Sequence, residues 1–151
     1  MDRPQWRFTL NYRLHPRLQA GVEINPNVSE IGPLLTAFLF TETETRPAVF
    51  LGTSSDRIGS PEGMQAYYTT GSKYFPQLRS SVNVTLNYSE WDEALNVPFG
   101  AAFEVGRGLA ARYMYDGNRS HLLVDYFLGP VGISLMSIWI ERFGVAIHGG
   151  F

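Results

Sequence analysis

The chain has 151 residues and a formal net charge of −2, and only 17% of its residues are charged. An ordinary soluble domain carries roughly 25% charged residues. The charge gives no reason to expect a nucleic-acid partner, and the absence of cysteine excludes disulfides, thiolate metal sites and thiol nucleophiles. The length predicts a single domain over residues 1–151.

The first third of the chain predicts four strands. Apolar and polar residues alternate without a break over residues 5–15, and again over residues 17–25. A loop that ends at Pro33 follows. Residues 34–43 and 48–54 then predict the third and fourth strands.

The central part of the chain predicts two strands and two loops. The strands cover residues 64–72 and 80–89, and the loops cover residues 55–63 and 90–96. Binding residues concentrate on loops. If the protein has a protein partner, we therefore expect these two loops to contact it.

The last third predicts five strands joined by short turns. These strands cover residues 97–105, 109–115, 121–128, 131–139 and 142–148. Gly106-Arg107-Gly108 imitates a dinucleotide-binding motif, but that motif requires a following helix, and the next residues predict a strand. The turn therefore predicts a hairpin and no cofactor.

The total is eleven candidate strands, whereas antiparallel barrels that cross membranes usually have an even number. We therefore expect 10–12 strands, with eight possible, and we expect the miscounted strand within residues 48–72. The predicted strands suit a bilayer, which tilted strands of about 9–11 residues cross. No run approaches the roughly 20 apolar residues that a membrane-spanning helix needs.

Alternation alone does not say which phase faces inward. A soluble barrel places its apolar phase inside, and a membrane barrel places it outside. Here the apolar phase carries aromatic residues near the predicted strand ends, as in the aromatic girdles of membrane barrels. The aromatic residues expected to face lipid are Trp6, Tyr12, Tyr88, Tyr113, Tyr126, Trp139, Phe143 and Phe151.

The polar phase contains small residues such as Gly21, Gly100 and Ala146, which suit a narrow lumen. Lys73 is the single lysine among 12 basic residues, and arginine suits paired, partly buried charge better than lysine does. We therefore expect ion pairs that line a lumen. The residues expected in this network are Arg7, Arg13, Glu23, Glu104, Arg112, Asp125 and Arg142.

The chain ends in Ile147-His148-Gly149-Gly150-Phe151, with alternate apolar residues before the terminal aromatic. This ending, the strand lengths and the tight turns resemble bacterial outer-membrane β-barrels. Residues 97–151 also resemble outer-membrane proteins associated with exopolysaccharide export, from which no functional residue is carried over. The resemblance implies a single closed antiparallel up-and-down transmembrane β-barrel that contacts the lipid bilayer.

An outer-membrane barrel must be exported, although no apolar leader segment follows Met1. We therefore expect a signal peptide to have been removed or to lie outside this sequence. The expected role is structural, anchoring or small-pore transport. Two alternatives stay open, namely a soluble β-barrel that binds a small apolar ligand and a lipid-modifying outer-membrane barrel enzyme.

An enzyme would need a catalytic constellation, and the nearest local grouping is His121 with Ser120 and Asp125. Adjacent residues of a strand point to opposite faces, so Ser120 and His121 cannot form a nucleophile–base pair. No histidine has the spacing to another ligand that a metal site shows. We therefore expect no catalytic residue and no metal.

Overall fold

A computed structural model of the protein describes residues 6–26, 30–56, 60–61 and 63–150. These residues form twelve strands and a single 3-10 turn at Pro76–Leu78. The strands are β1 (Phe8–His15), β2 (Leu18–Asn25), β3 (Glu30–Phe40), β4 (Ala48–Ser55), β5 (Gln65–Phe75), β6 (Ser80–Ser89), β7 (Ala94–Asn96), β8 (Phe99–Gly106), β9 (Leu109–Tyr115), β10 (Ser120–Leu128), β11 (Val131–Ile138) and β12 (Arg142–Gly149). No helix in the described part of the chain is long and apolar enough to cross a membrane.

The strands form one antiparallel up-and-down sheet. Its hydrogen-bonded order is β1-β2-β3-β4-β5-β6-β8-β9-β10-β11-β12, and β7 pairs with β6 beside this path. The predicted all-β class and the expected number of strands are confirmed. The predicted closure is wrong, because the path ends at β1 and β12 and no pairing joins these two strands within the described residues.

The chain divides into two compact units. Unit 1 contains the residues up to 71 and residues 85–97, and unit 2 contains residues 72–84 and those from 98 onward. Unit 1 therefore includes β1 to β4, most of β5, the end of β6, and β7. Unit 2 includes the rest of β5 and β6 together with β8 to β12.

The twelfth strand does not lie within residues 48–72, where we expected it. It is β7, inside the segment 90–96 that the sequence predicted to be a loop. β7 has three residues and pairs with the end of β6 through Asn87 and Asn96, whose side chains also share a hydrogen bond of 3.2 Å. A strand this short contains no full alternation that periodicity could detect.

β3 begins at Glu30, four residues earlier than predicted, and contains Pro33. A proline inside a strand is tolerated where its missing N–H is not needed for a ladder. Pro33 lies opposite Val22 of β2, whereas the pairing of β3 with β4 begins only at Leu35. Pro33 therefore lies outside the part of β3 that pairs with β4.

β11 ends at Ile138, one residue before its predicted end. Trp139 and Ile140 form the turn to β12 with φ angles of 57° and 59°, and the N–H of Glu141 donates to the carbonyl of Ile138 at 3.1 Å. Two consecutive positive φ angles match the hairpin turn that follows the twist of the strands. Trp139 thus lies in a turn, not in a strand.

The burial pattern of the sheet is inverted relative to a soluble protein. Among the described residues, Ala66 and Leu123 are the only buried apolar residues, whereas the buried polar residues come from both units. The buried polar residues are Glu23, Asn25, Ser55, Asp56, Ser60, Thr70, Ser80, Ser89, His121, Asp125 and Ser134. Large apolar side chains are exposed on the long strands of both units, with Phe143 of β12 reaching 91% exposure.

Candidate functional site: the buried polar face

Strand pairing defines one polar face in each unit. In unit 1, Glu23 lies opposite Gly32 and Asn25 lies opposite Glu30. In unit 2, Asp125 lies opposite Ser134. Side chains of directly opposite residues project to the same side of a sheet, so these polar groups share a face with their partners.

The polar face of unit 2 contains a complete ion pair. Arg112 donates from Nε to Asp125 Oδ2 at 2.5 Å and from Nη2 to Asp125 Oδ1 at 2.7 Å. Ser134 Oγ donates to the same Oδ1 at 2.5 Å. Asp125 is 1% exposed. This bidentate geometry is the strongest form of an arginine–carboxylate contact.

A second polar contact in unit 2 connects β10 to the turn before it. His121 Nε2 lies 2.9 Å from Asp116 Oδ2, and Asp116 Oδ1 accepts hydrogen bonds from the backbone N–H groups of Asn118 and Arg119 at 2.8 and 2.7 Å. Burial alone would raise the pKa of Asp116, but these backbone and histidine hydrogen bonds outweigh it and lower the pKa. The carboxylate therefore stabilises the turn in its ionised form.

Unit 1 holds a chain of contacts at the end of β2 and the start of β3. Glu23, which is 1% exposed, forms an ion pair with Arg7. Asn25 Nδ2 donates to Glu23 Oε1 at 3.2 Å and to Glu30 Oε2 at 3.1 Å. Glu30 Oε1 accepts a hydrogen bond of 2.6 Å from the Gly63 N–H. Two carboxylates are thus joined through one amide.

Asp56 is buried at the end of β4. Its Oδ2 accepts hydrogen bonds from Ser89 Oγ at 2.6 Å and from the Trp91 N–H at 3.2 Å. Ser89 Oγ in turn accepts from the Asp92 N–H at 3.1 Å. The two contacts of Asp56 join residues 33 and 35 positions apart in the sequence and tie the turn after β6 to the end of β4.

Hydroxyl groups connect the strands further along unit 1. Thr36 and Tyr68 share a hydrogen bond of 3.0 Å, and Thr70 and Thr85 share one of 2.8 Å. The Tyr68 ring also lies edge-on to Phe50, with 6.4 Å between centroids. This part of the polar face is therefore occupied by side chains.

Several glycines make room for these side chains. A Cβ at Gly52 would lie 2.7 Å from the Tyr68 hydroxyl and would also overlap a backbone oxygen of Leu35. A Cβ at Gly132 would overlap the ring of His148. The small residues of the polar phase thus lie beneath polar or aromatic side chains of neighbouring strands.

Of the seven residues expected in the lumen network, the structure brings four together as the pairs Arg7–Glu23 and Arg112–Asp125. Glu104 instead accepts a hydrogen bond of 3.2 Å from the Tyr74 hydroxyl.

The other two arginines do not join these pairs. The Arg13 guanidinium lies 5.8 Å from the centroid of the Phe38 ring. Arg142 is exposed and forms no ion pair with the residues that the structure describes.

The aromatic residues expected to face lipid differ in exposure. Those exposed are Trp6, Tyr12, Tyr88, Tyr126 and Phe143. Tyr113 is partly buried, and its hydroxyl shares a hydrogen bond of 2.9 Å with Ser120. Trp139 lies under the Arg119 guanidinium at 4.4 Å from the ring centroid. Phe151 lies outside the described residues.

The two loops that we expected to contact a protein partner are only partly described. In the segment 55–63, residues 57–59 and 62 lie outside the described residues. The segment 90–96 is shorter as a loop than predicted, because β7 occupies its last three residues. Trp91, which is exposed, belongs to the remaining turn.

Sequence reasoning missed several members of the polar face. Asn25 and Ser134 lie on the predicted polar phase of their strands, so extending the alternation would have found both. Asp116 begins a recognisable Asp-Gly-Asn turn, but its contact with His121 depends on the fold. Asp56 and Ser89 carry no local signal that they meet.

These contacts do not assemble a recognisable catalytic group. Ser120, His121 and Asp125 have different partners, namely Tyr113, Asp116 and Arg112. The described residues contain no group of three or more histidine, cysteine, aspartate or glutamate side chains that could hold a metal ion. No family model, no curated protein and no solved structure matches this chain.

Proposed function

We propose that the protein is a bacterial outer-membrane β-sheet protein with a structural or anchoring role, in which the apolar phase contacts lipid. The inverted burial carries this proposal, because polar residues are buried while large apolar residues are exposed. Apolar surface in water costs roughly 25 cal/mol per Å² relative to burial. Contiguous exposed apolar surface therefore indicates a membrane or another interaction site.

A membrane location requires partners for the outward backbone groups of β1 and β12. Both strands end the hydrogen-bonded path, and an unpaired backbone group in lipid costs several kcal/mol. Neither strand contains lysine or proline, which commonly protect an exposed edge. In a membrane, the outward backbone groups of β1 and β12 would therefore each need a hydrogen-bond partner.

The filled polar face supports an anchoring role over an open channel. Arg112 with Asp125 in unit 2, and Tyr68 above Gly52 in unit 1, occupy the side that a channel would need to leave open. In planar bilayers we expect no steady single-channel current. A reproducible conductance would instead assign the small-pore transport role.

The other functions considered have less support. A soluble carrier of an apolar ligand needs an apolar interior, whereas the buried residues here are polar apart from Ala66 and Leu123. A lipid-modifying enzyme needs an activated nucleophile, but the Ser120 hydroxyl contacts Tyr113 instead of His121.

Two adjacent residues of β6 provide the test. Val84 is 56% exposed, and the Thr85 hydroxyl contacts Thr70 on the other side. In lipid vesicles, Val84→Arg should lower the free energy of unfolding by about 2–4 kcal/mol. Thr85→Arg should act through packing and should cost the same in vesicles and in detergent micelles.

The comparison between the two media decides the result. The cost of Val84→Arg should be larger in vesicles than in micelles, because only the bilayer imposes a thick apolar layer. An equal cost in both media would contradict lipid contact at Val84. A wild-type protein that is monodisperse in plain buffer would contradict the membrane role as a whole.

A further inference from the structure

One end of the sheet in unit 2 carries an excess of basic residues. Successive strands of an up-and-down sheet reverse direction, so the β5–β6, β8–β9 and β10–β11 turns lie at the same end, which we call the basic edge. The described charged residues of the basic edge are Lys73, Arg79, Glu104 and Arg107. At the opposite end of unit 2, two arginines balance two carboxylates. These residues are Arg119, Arg142, Asp116 and Glu141.

Hydrogen bonds hold the three turns of the basic edge side by side. The N–H of Glu104 donates to the carbonyl of Arg79 at 2.8 Å, and the N–H of Phe127 donates to the carbonyl of Gly108 at 2.8 Å. A Cβ at Gly108 would lie 2.5 Å from the carbonyl oxygen of Phe127, so the last two turns are closely packed. Arg79 and Arg107 therefore belong to one continuous edge.

The two arginines keep their charge available for a partner. Both are exposed, and neither forms an ion pair with the residues that the structure describes. Glu104, the one carboxylate among the described residues of this edge, accepts a hydrogen bond of 3.2 Å from the Tyr74 hydroxyl. The basic edge therefore favours an anion.

The backbone at both arginines favours other residue types. The φ angle is 47° at Arg79 and 54° at Arg107. Glycine and asparagine adopt positive φ readily, whereas other residues raise the free energy of the fold there. Turn geometry therefore does not explain an arginine at either position, and such strained residues cluster at functional sites.

Exposed apolar side chains border the two arginines. Leu78, which directly precedes Arg79, is 71% exposed, and Val105, two residues before Arg107, is 63% exposed. A phospholipid offers a phosphate beside acyl chains, so it complements both the charge and the apolar border. A free phosphate ion would use only the charge.

We propose that the basic edge of unit 2 binds the headgroups of anionic phospholipids through Arg79 and Arg107. This lipid site rests on the proposed membrane role and adds the class of lipid to it. A guanidinium group forms paired hydrogen bonds with phosphate oxygens. Leu78 and Val105 contact the acyl chains of the same lipids.

Native mass spectrometry of the full chain in a neutral detergent tests the site, with dioleoyl-phosphatidylglycerol as the anionic probe and dioleoyl-phosphatidylcholine as the neutral one. We expect phosphatidylglycerol to bind roughly 25-fold more tightly, because each of two arginines contributes about fivefold at an anionic surface. The combined Arg79→Asn and Arg107→Asn variant should bind both lipids equally. Because asparagine tolerates positive φ, this variant should keep or gain stability in urea unfolding.

The combined Arg119→Gln and Arg142→Gln variant is the matched control, because it removes the same charge from the opposite end of unit 2. It should keep the wild-type preference for phosphatidylglycerol. Equal binding of the two lipids by the wild type would overturn the site, and so would an equal loss of preference in the two variants. A loss of stability in the asparagine variant that accompanied its loss of preference would make the arginines structural and would also overturn the site.

Sodium phosphate separates a lipid site from a site for any phosphate. If inorganic phosphate bound as tightly as phosphatidylglycerol, the edge would be a free-anion site and the lipid assignment would be wrong. A wild-type protein that is monodisperse in plain buffer would contradict the membrane role itself. Equal affinity for both lipids in a protein that still requires detergent would contradict only the binding of anionic headgroups.

Discussion

The two units bury charge in different ways. Unit 2 concentrates it in one bidentate pair, in which Arg112 and Ser134 satisfy Asp125 on three adjacent strands. Unit 1 has the ion pair Arg7–Glu23 and otherwise distributes its carboxylates over neutral donors, such as the amide of Asn25 and the hydroxyl of Ser89. A polar face can therefore be stabilised by one bidentate ion pair, as in unit 2, or by a single ion pair together with hydrogen bonds from neutral donors, as in unit 1.

The two arrangements also depend on different parts of the chain. The pair in unit 2 lies within β9 and β10, so the sheet itself holds both partners. In unit 1, Arg7 precedes β1, and the donor to Glu30 is the backbone of Gly63 in the connection before β5. We therefore expect unit 1 to respond to changes outside its strands more than unit 2 does.

Removing a buried, ion-paired carboxylate from each unit should have the largest effect. Asp125→Ala should lower the free energy of unfolding by about 3 kcal/mol, because it leaves the Arg112 charge without its partner. Glu23→Ala should cost about 2 kcal/mol, because Arg7 is more exposed and keeps access to solvent. Urea unfolding in detergent micelles measures both values.

Asp125→Asn is the control for shape, since it keeps the size of the side chain and removes its charge. It should destabilise the protein less than Asp125→Ala does. A larger cost for Glu23→Ala than for Asp125→Ala would reverse the proposed difference between the units.

Filling a glycine on each polar face should give a smaller effect. Gly52→Ala in unit 1 should cost about 1–3 kcal/mol, because the new Cβ would overlap a backbone oxygen of Leu35 that cannot move alone. Gly132→Ala in unit 2 should cost less than about 1 kcal/mol, because the His148 ring that it meets can rotate away. Urea unfolding in micelles measures the pair.

Gly71→Ala is the control, because a Cβ at Gly71 would have no atom within 4 Å. The His148 ring lies edge-on to the Phe127 ring, with 5.6 Å between centroids. If Gly132→Ala were as destabilising as Gly52→Ala, stronger contacts than this one would have to hold the His148 ring in place.

The turn before β10 should give the smallest effect and a defined pH dependence. The pKa of Asp116 lies below its usual value of 3.8, so the ionised carboxylate stabilises the folded state above that value. This stabilisation is lost as the pH falls through the lowered pKa. Asp116→Asn should therefore destabilise the protein at neutral pH and should not differ from the wild type in strong acid.

Urea unfolding of wild type and Asp116→Asn at a series of pH values measures this difference. Glu141→Gln, which changes an exposed carboxylate 3.8 Å from Arg119, is the control and should change stability by less than about 1 kcal/mol at any pH. A difference between Asp116→Asn and the wild type that grew toward low pH would contradict the sign of the pKa shift.

Much of the fold was predictable from local patterns. The alternation in β1 and β6 and the Arg107-Gly108 turn were each recognisable because a strand repeats every two residues and a tight hairpin requires positive φ. The early start of β3 could not be predicted. A strand accepts Pro33 only outside its pairing with β4, and the extent of that pairing is known only from the fold. β7 could not be predicted because it exists through its pairing with β6.

The candidate site was predictable only in part. Glu23, Arg112 and Asp125 could be named because each is a charged residue on the polar phase of a predicted strand. Their partners depend on how each strand is aligned with its neighbour, and a shift by one residue would move every side chain to the other face. The pairing of Asp125 with Arg112, instead of with His121, is a consequence of that alignment.

Local sequence patterns were enough to specify an all-β chain with one apolar and one polar phase, because side-chain direction in a strand follows local geometry. Two features became known only from the folded chain: within the described residues no pairing joins β1 to β12, and Asp56 meets Ser89. Those features depend on contacts between residues far apart in the chain, and no local period records them.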